Sequence, residues 1–202
     1  MKYDVSKKEI ILDRELSNLD KFVVKFCSLL KDYVIVSGYV SILLGRTRGT
    51  EDVDLLIPEI NFAEFTNIWN EVYNNGFECL NTSKIIEAFN MLKEHAIRFA
   101  KPGKPVPNME FKVIKTDLDK YSFENRLKVI LNEGKLYISP IELQIPFKLF
   151  LAADGDYKEV SSDKDIEDAR HLYRLFKGKI NKDEMLLFLN KLGVKDKMWL
   201  LE

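Results

Sequence analysis

The 202-residue chain is expected to adopt an α+β fold: a mixed sheet flanked by helices, followed by a C-terminal helical part. Three observations predict it. Short β-branched runs alternate with three- and four-residue apolar periodicity up to about Ser139. Beyond Ser139 only helical periodicity is present. Hydrophobic residues make up 46% and charged residues 31%, with Gly 9 and Pro 6. That composition supplies a core and excludes collagen-like and disordered classes. The length suits one domain with a small appendage, and the change of pattern sets expected units at 1–139 and 140–202.

Each element follows from its residues. Leu16, Leu19, Phe22, Val23, Phe26, Leu29 and Leu30 fall on one face of a helix predicted over about 15–31. Residues 33–37 read as a buried strand. Gly38 is expected to take a tight turn into a short helix at 39–44, which Gly45 stops. A polar loop, 46–50, leads into a second strand at 52–57, closed by Pro58. Phe62, Phe65, Ile68, Trp69 and Val72 predict a helix that Asn74, Asn75 and Gly76 end. A helix at 83–93 precedes strands at 95–100 and 109–114, joined by a basic Pro/Gly-rich loop at 101–108. A helix at 123–131, a strand at 136–138 and helices at 141–153, 164–176 and 182–192 complete the prediction.

Composition also narrows function. A formal net charge of −1 excludes bulk electrostatic coating of nucleic acid, so any polyanion must be met at a local patch. The lysines at 101, 104, 112 and 115 offer a modest one. Cys27 and Cys79 lack a CxxC or Cys/His setting, and only His95 and His171 accompany them. A zinc site is therefore poorly supplied, and both cysteines are expected to be small buried hydrophobes. No run approaches ~18 apolar residues and the first residues lack an apolar h-region, so a cytoplasmic protein with no membrane partner is expected.

The chemistry concentrates at 36–54. On a strand Asp52 and Asp54 project from one face, with α-carbons roughly 6.5 Å apart. Carboxylates so placed suit Mg²⁺, which takes oxygen ligands together with substrate phosphates, and a two-metal displacement at phosphorus. The chain has four Asp-x-Asp pairs, at 52/54, 117/119, 154/156 and 163/165. Only the first has an apolar residue between its acids and an apolar run after them. The others sit where aspartate caps turns and helices. The plain alternative for 52/54 is a solvated strand face paired to Arg46 and Arg48. Upstream, Ser37-Gly38 closes a strand and opens a helix, where backbone N–H groups can meet a phosphate.

Segment 36–54 resembles the signature of DNA polymerase β-like nucleotidyltransferases, in which an apolar strand, a small-residue turn and Asp-x-Asp follow in that order. It is most similar to the AbiEii-type and minimal nucleotidyltransferase branch. The matching positions are Ser37-Gly38, Gly45, Arg48, Thr50 and Asp52-Val53-Asp54. The family's third carboxylate aligns with Glu110, where aspartate is commoner; the plain alternative is an exposed strand glutamate beside Lys112. Ser139–Leu143, Lys148 and Lys164–Asp168 resemble the family's C-terminal helices. The family's frequent arginine between those helices is missing, and the stretch 154–162 has only Lys158.

The resemblance implies transfer of a nucleoside monophosphate from an NTP to an acceptor hydroxyl. Asp52, Asp54 and Glu110 would be the catalytic and metal-binding residues, with Mg²⁺ or Mn²⁺. Ser37, Gly38, Arg48, Thr50, Lys148 and Lys164 would bind the nucleotide. Asp165 and Asp168 would support the lysines or the domain junction. Acceptors in such families are RNA ends such as tRNA, proteins or small molecules such as aminoglycosides. Some AbiEii-type members are toxins with a cognate antitoxin. Two other readings stay open: a catalytically silent nucleotide- or partner-binding module of the same fold, and a phosphohydrolase using the same acids.

Overall fold

The computed structural model describes residues 1–153 and 164–201. The pair Asp154/Asp156, Asp163 of the last pair, and Lys158 lie outside the described residues. The chain divides into two compact units: Met1–Val36 with Gly49–Ile138, and Ser37–Arg48 with Ser139–Glu202.

The first unit carries a nine-stranded mixed sheet of order β1-β2-β8-β9-β3-β4-β7-β6-β5. Its strands are β1 (Lys2–Asp4), β2 (Glu9–Ile11), β3 (Val34–Ile35), β4 (Asp52–Ile57), β5 (Glu78–Cys79), β6 (Ile97–Lys101), β7 (Lys104–Val113), β8 (Leu127–Leu131) and β9 (Gly134–Ile138). β4 and β7 run parallel at its centre, with Asp52 opposite Asn108 and Asp54 opposite Glu110. Helices α1 (Asn18–Cys27), α3 (Phe62–Asn74), α4 (Ile85–Glu94) and α5 (Asp117–Glu124) belong to this unit. Phe26 of α1 meets Phe99 and Phe111, and Trp69 of α3 meets Phe99. The odd-numbered side chains of β6 and β7 therefore face these helices. By strand alternation Arg98, Glu110 and Lys112 lie on the other face. Val53, Leu55 and Ile57 are buried, which anchors β4.

Sequence chemistry explains the boundaries. α1 is shorter than 15–31 because Ser17 caps it, in a capping box with Asp20. Leu16 and Leu30 are buried beside the helix rather than within it, so the apolar period overran its ends. Asn61 with Glu64 and Thr116 with Asp119 form the same box at α3 and α5, so Asp117 and Asp119 are ordinary helix-start acids. Cys27 and Cys79 are free and buried, as expected.

Three expectations are corrected. The helix at 123–131 is instead the end of α5 and strand β8. Leu127, Val129 and Leu131 alternate into the core, a period of two that a nine-residue window blurs with a helical one. The loop at 101–108 is mostly strand, since β7 starts at Lys104. Gly103, at φ +68°, makes the turn. Asp52 is the first β4 residue to pair with β7, opposite Asn108, so Pro105 and Pro107 lie where β7 has no β4 ladder to donate to. The strand at 33–37 shrinks to Val34–Ile35. Strands β1, β2 and β5 were not expected; each spans only two or three residues, too short to show alternation.

The second unit holds α2 (Gly38–Leu43), α6 (Ile141–Ala153), α7 (Lys164–Phe176), α8 (Lys182–Lys191) and a closing 3-10 segment, Lys195–Leu201. Gly45, at φ +103°, terminates α2. α6 and α7 match the predicted spans. Among the described residues no helix is long and apolar enough to cross a membrane.

Candidate active site

In the first unit the parallel register of β4 and β7 gathers the acids. Asp52 and Asp54 share one face of β4, and Glu110 stands directly opposite Asp54. Each is half-buried. Thr50 Oγ1 donates to the Asp52 carbonyl at 2.8 Å, which ties the loop to the start of the strand. Two cations join the acids. Lys112 Nζ lies 2.7 Å from Asp54 Oδ1 and 3.0 Å from Glu110 Oε1, and Arg98 Nη2 lies 3.3 Å from Glu110 Oε2.

The electrostatics are lopsided. Burial pushes the Asp52 carboxyl up, and a hydrogen bond with Glu110 and the charges of Asp54 and Glu110 push it further. Burial would raise Glu110 as well, but bonding to Lys112 and the charges of Lys112 and Arg98 hold it below its ordinary value. Burial would lower Lys112, yet Asp54 and Glu110 raise it. Asp52 is thus the acid left under-compensated.

The donor set is all oxygen, the kind a hard dication takes. Burial and the charges of Asp54 and Glu110 disfavour an ionised Asp52, a crowding that a proton or a cation relieves. Among the described residues, however, no group of three or more His, Cys, Asp or Glu is closed around an ion position. Lys112 stands between Asp54 and Glu110 instead. The residues fit a divalent ion in chemistry, and the ammonium is its competitor.

In the second unit Ser37 and Gly38 open α2. The left-handed residue is Ser37, at φ +62° and ψ −139°, and not Gly38 as expected. Gly38 is tight for a different reason: a Cβ there would stand 3.1 Å from Arg48 Nη2, so the guanidinium, which packs against the bare backbone, would have to shift to admit one. Because Ser37 occupies a backbone region that L-residues avoid, Ser37→Gly is expected to stabilise the protein by about 1 kcal/mol. A urea-unfolding midpoint that fails to rise would refute this.

Arg48 is aimed by Asp168. Its Nη1 donates to Asp168 Oδ2 at 2.6 Å, and Arg46 Nη1 donates to Asp168 Oδ1 and, at 2.9 Å, to the Lys164 carbonyl. Lys148, 1% exposed, reaches Asp165 at 2.6 Å and Asp168 at 2.9 Å. Asp165 and Asp168 therefore hold Lys148. The Lys164 side chain is exposed and, among the described residues, makes no ion pair. Among the described residues, Arg46, Arg48 and Lys148 meet the carboxylates of Asp165 and Asp168 here.

The basic patch expected at 101–115 is smaller than the sequence implied. Lys112 is committed to Asp54 and Glu110, and Lys115 Nζ donates to the Glu94 carbonyl at 2.8 Å. Lys101 and Lys104 are exposed. The roles of Arg98 and Asn108 were not foreseen. Asn108, opposite Asp52, is buried and donates its amide to the carbonyls of Glu51 and Pro105 at 3.2 and 3.3 Å. Lys112 and Asn108 each sit two residues from Glu110, so strand alternation was the signal that marked them.

No family model and no curated protein matches the sequence. Solved structures do match in fold. The crystal structure of ANT(2'')-Ia in complex with adenylyl-2''-tobramycin superposes with TM-score 0.58 at 12% identity, covering 89% of this chain and 99% of that one. The solution structure of antibiotic-resistance factor ANT(2'')-Ia gives 0.55 at 12% identity over 89% and 93%. An antigenic nucleotidyltransferase-like protein from Paracoccidioides brasiliensis gives 0.50 at 21% identity over 90% and 91%. The chain has the nucleotidyltransferase-like fold.

Proposed function

We propose that the protein is a nucleotidyltransferase of the DNA polymerase β-like superfamily, moving a nucleoside monophosphate from an NTP to an acceptor hydroxyl with release of pyrophosphate. The carrying observation is three carboxylates on adjacent parallel strands, with Asp54 and Glu110 in register and Asp52 crowded by like charge. In this reading Asp52, Asp54 and Glu110 hold Mg²⁺ or Mn²⁺, which supplies neutralisation of phosphate charge in two-metal chemistry. Glu110 accepts the proton of the attacking hydroxyl. Within the second unit, Ser37, Gly38 and Arg48 contact phosphate oxygens. In the cluster around Asp168 the side chains of Arg46 and Arg48 remain 17% and 14% exposed, which supports an anionic ligand. Lys148 sets the charge of that cluster from within; Thr50 and the exposed Lys164 complete the nucleotide-binding set.

The acceptor is proposed by class: an RNA such as tRNA, a protein, or a small molecule of the kind in the adenylyl-tobramycin complex of ANT(2'')-Ia. The AbiEii-type resemblance adds a toxin role with a cognate antitoxin. Incubation with each α-labelled NTP, Mg²⁺ or Mn²⁺, and pooled tRNA, cell protein and aminoglycosides tests both donor and acceptor. Label on an acceptor supports the reading. Label released only as free nucleotide points to a phosphohydrolase.

A second reading, the catalytically silent module, is favoured by Lys112 standing among the acids and by Lys148 being held by Asp165 and Asp168. Thermal shift separates the two at the level of binding. Stabilisation by Mg²⁺ with NTP that disappears in Asp52→Ala/Asp54→Ala supports the metal site; no stabilisation by any NTP favours a module whose ligand is a partner.

A further inference from the structure

We propose that Lys112 is the resident counter-ion of the acid cluster, its ammonium occupying the place between Asp54 and Glu110 that a divalent cation takes on loading. This rests on the metal reading of the acids given above.

Asp54 and Glu110 are directly opposite on β4 and β7, and like charges so paired destabilise a sheet. The ion-free protein therefore needs a cation at this position. Lys112 supplies it: two residues beyond Glu110 on β7, its side chain projects from the same face. It reaches both carboxylates, at 2.7 and 3.0 Å. Arg98 does not duplicate the role, since among the described residues its ion pair is with Glu110, at 3.3 Å, and not with Asp54. The Lys112 side chain is 37% exposed, so its flexible stem has open solvent to move into. A compact ammonium on such a stem can leave as a unit, unlike a forked guanidinium. A dication must then displace an existing charge, and the site binds it more weakly than bare carboxylates would.

Mn²⁺ binding followed by the EPR signal of the free ion tests this without any turnover. Lys112→Met keeps stem length and removes charge; it is expected to tighten Mn²⁺ binding on the order of tenfold, a modest figure for a partly exposed charge. It is also expected to lower the ion-free melting temperature, with Mn²⁺ restoring it. Lys112→Arg keeps the charge and should retain weak binding, and Lys112→Gln should repeat the tightening. Unchanged or weaker affinity in folded Lys112→Met and Lys112→Gln overturns the proposal. The parent reading is judged separately: if Asp52→Asn/Asp54→Asn binds Mn²⁺ as the unaltered protein does, the acids are not the ion site, whatever Lys112 does.

Discussion

Asp52→Asn is expected to lower nucleotidyl transfer by at least about 10³-fold and, at the same time, to raise the melting temperature of the ion-free protein. In the proposed reading, the first effect follows from removing a charge that would position the cation at the reacting phosphate. The second follows from crowding. The Asp52 carboxyl is pushed up by burial and by the neighbouring Glu110 and Asp54. A folded-state value above the unfolded one means that the folded protein binds the extra proton. Stability therefore rises as pH falls through the raised value toward the ordinary carboxylate range, and the ionised form costs stability at neutral pH. A neutral amide of the same shape removes that cost. Transfer to labelled acceptor and a thermal melt in chelator measure the two effects. Asp117→Asn, in the pair that merely starts α5, is the control and should change neither. Full activity in Asp52→Asn, or a melting temperature below that of the unaltered protein, would refute the assignment of Asp52 as an under-compensated site acid.

Asp168→Ala is expected to destabilise the protein by about 3–5 kcal/mol, the cost of removing the buried carboxylate that Arg46, Arg48 and Lys148 share and leaving buried Lys148 with Asp165 alone. Asp168 is 0% exposed and Lys148 1% exposed, whereas Arg46 and Arg48 reach solvent at 17% and 14%. The guanidinium groups can turn outward; the lysine cannot. Pairing Asp168→Leu with Lys148→Met should therefore cost less than Asp168→Leu alone, because the apolar pair leaves no buried ammonium with only one of its two carboxylates. Urea unfolding of the two single variants and the double measures the coupling. Strict additivity would show that Lys148 does not depend on Asp168. Because Asp168 also aims Arg48 at Gly38, both Asp168 variants are expected to weaken any NTP binding even where they fold.

The acid pair was legible because β4 follows the simplest rule available to a strand. Val53, Leu55 and Ile57 face inward, so Asp52 and Asp54 must share the outward face. Capping chemistry was equally local: it set Asp117/Asp119 aside as turn or helix-start acids, and α5 begins there. The errors have physical causes too. Residues 123–131 carry apolar groups at spacings that satisfy both periods, and pairing with β9 decided for the strand. Prolines at 105 and 107 suggested a loop, but they fall where β7 has no β4 ladder to donate to.

By itself the sequence determined the α+β class, the position of the acids at the start of a strand, and the helices from Ile141 onward. These depend on side-chain period and on contacts a few residues apart. Only the tertiary structure decided that Lys112 belongs to Asp54, that Arg46, Arg48 and Lys148 converge on Asp168, and that the Arg48 guanidinium lies against the bare Gly38. Those partners are 10 to 122 residues apart, and charge alone does not specify which of 31 cations meets which of 32 acids; the register of β4 against β7 and the packing of α6, α7 and the 37–48 segment do.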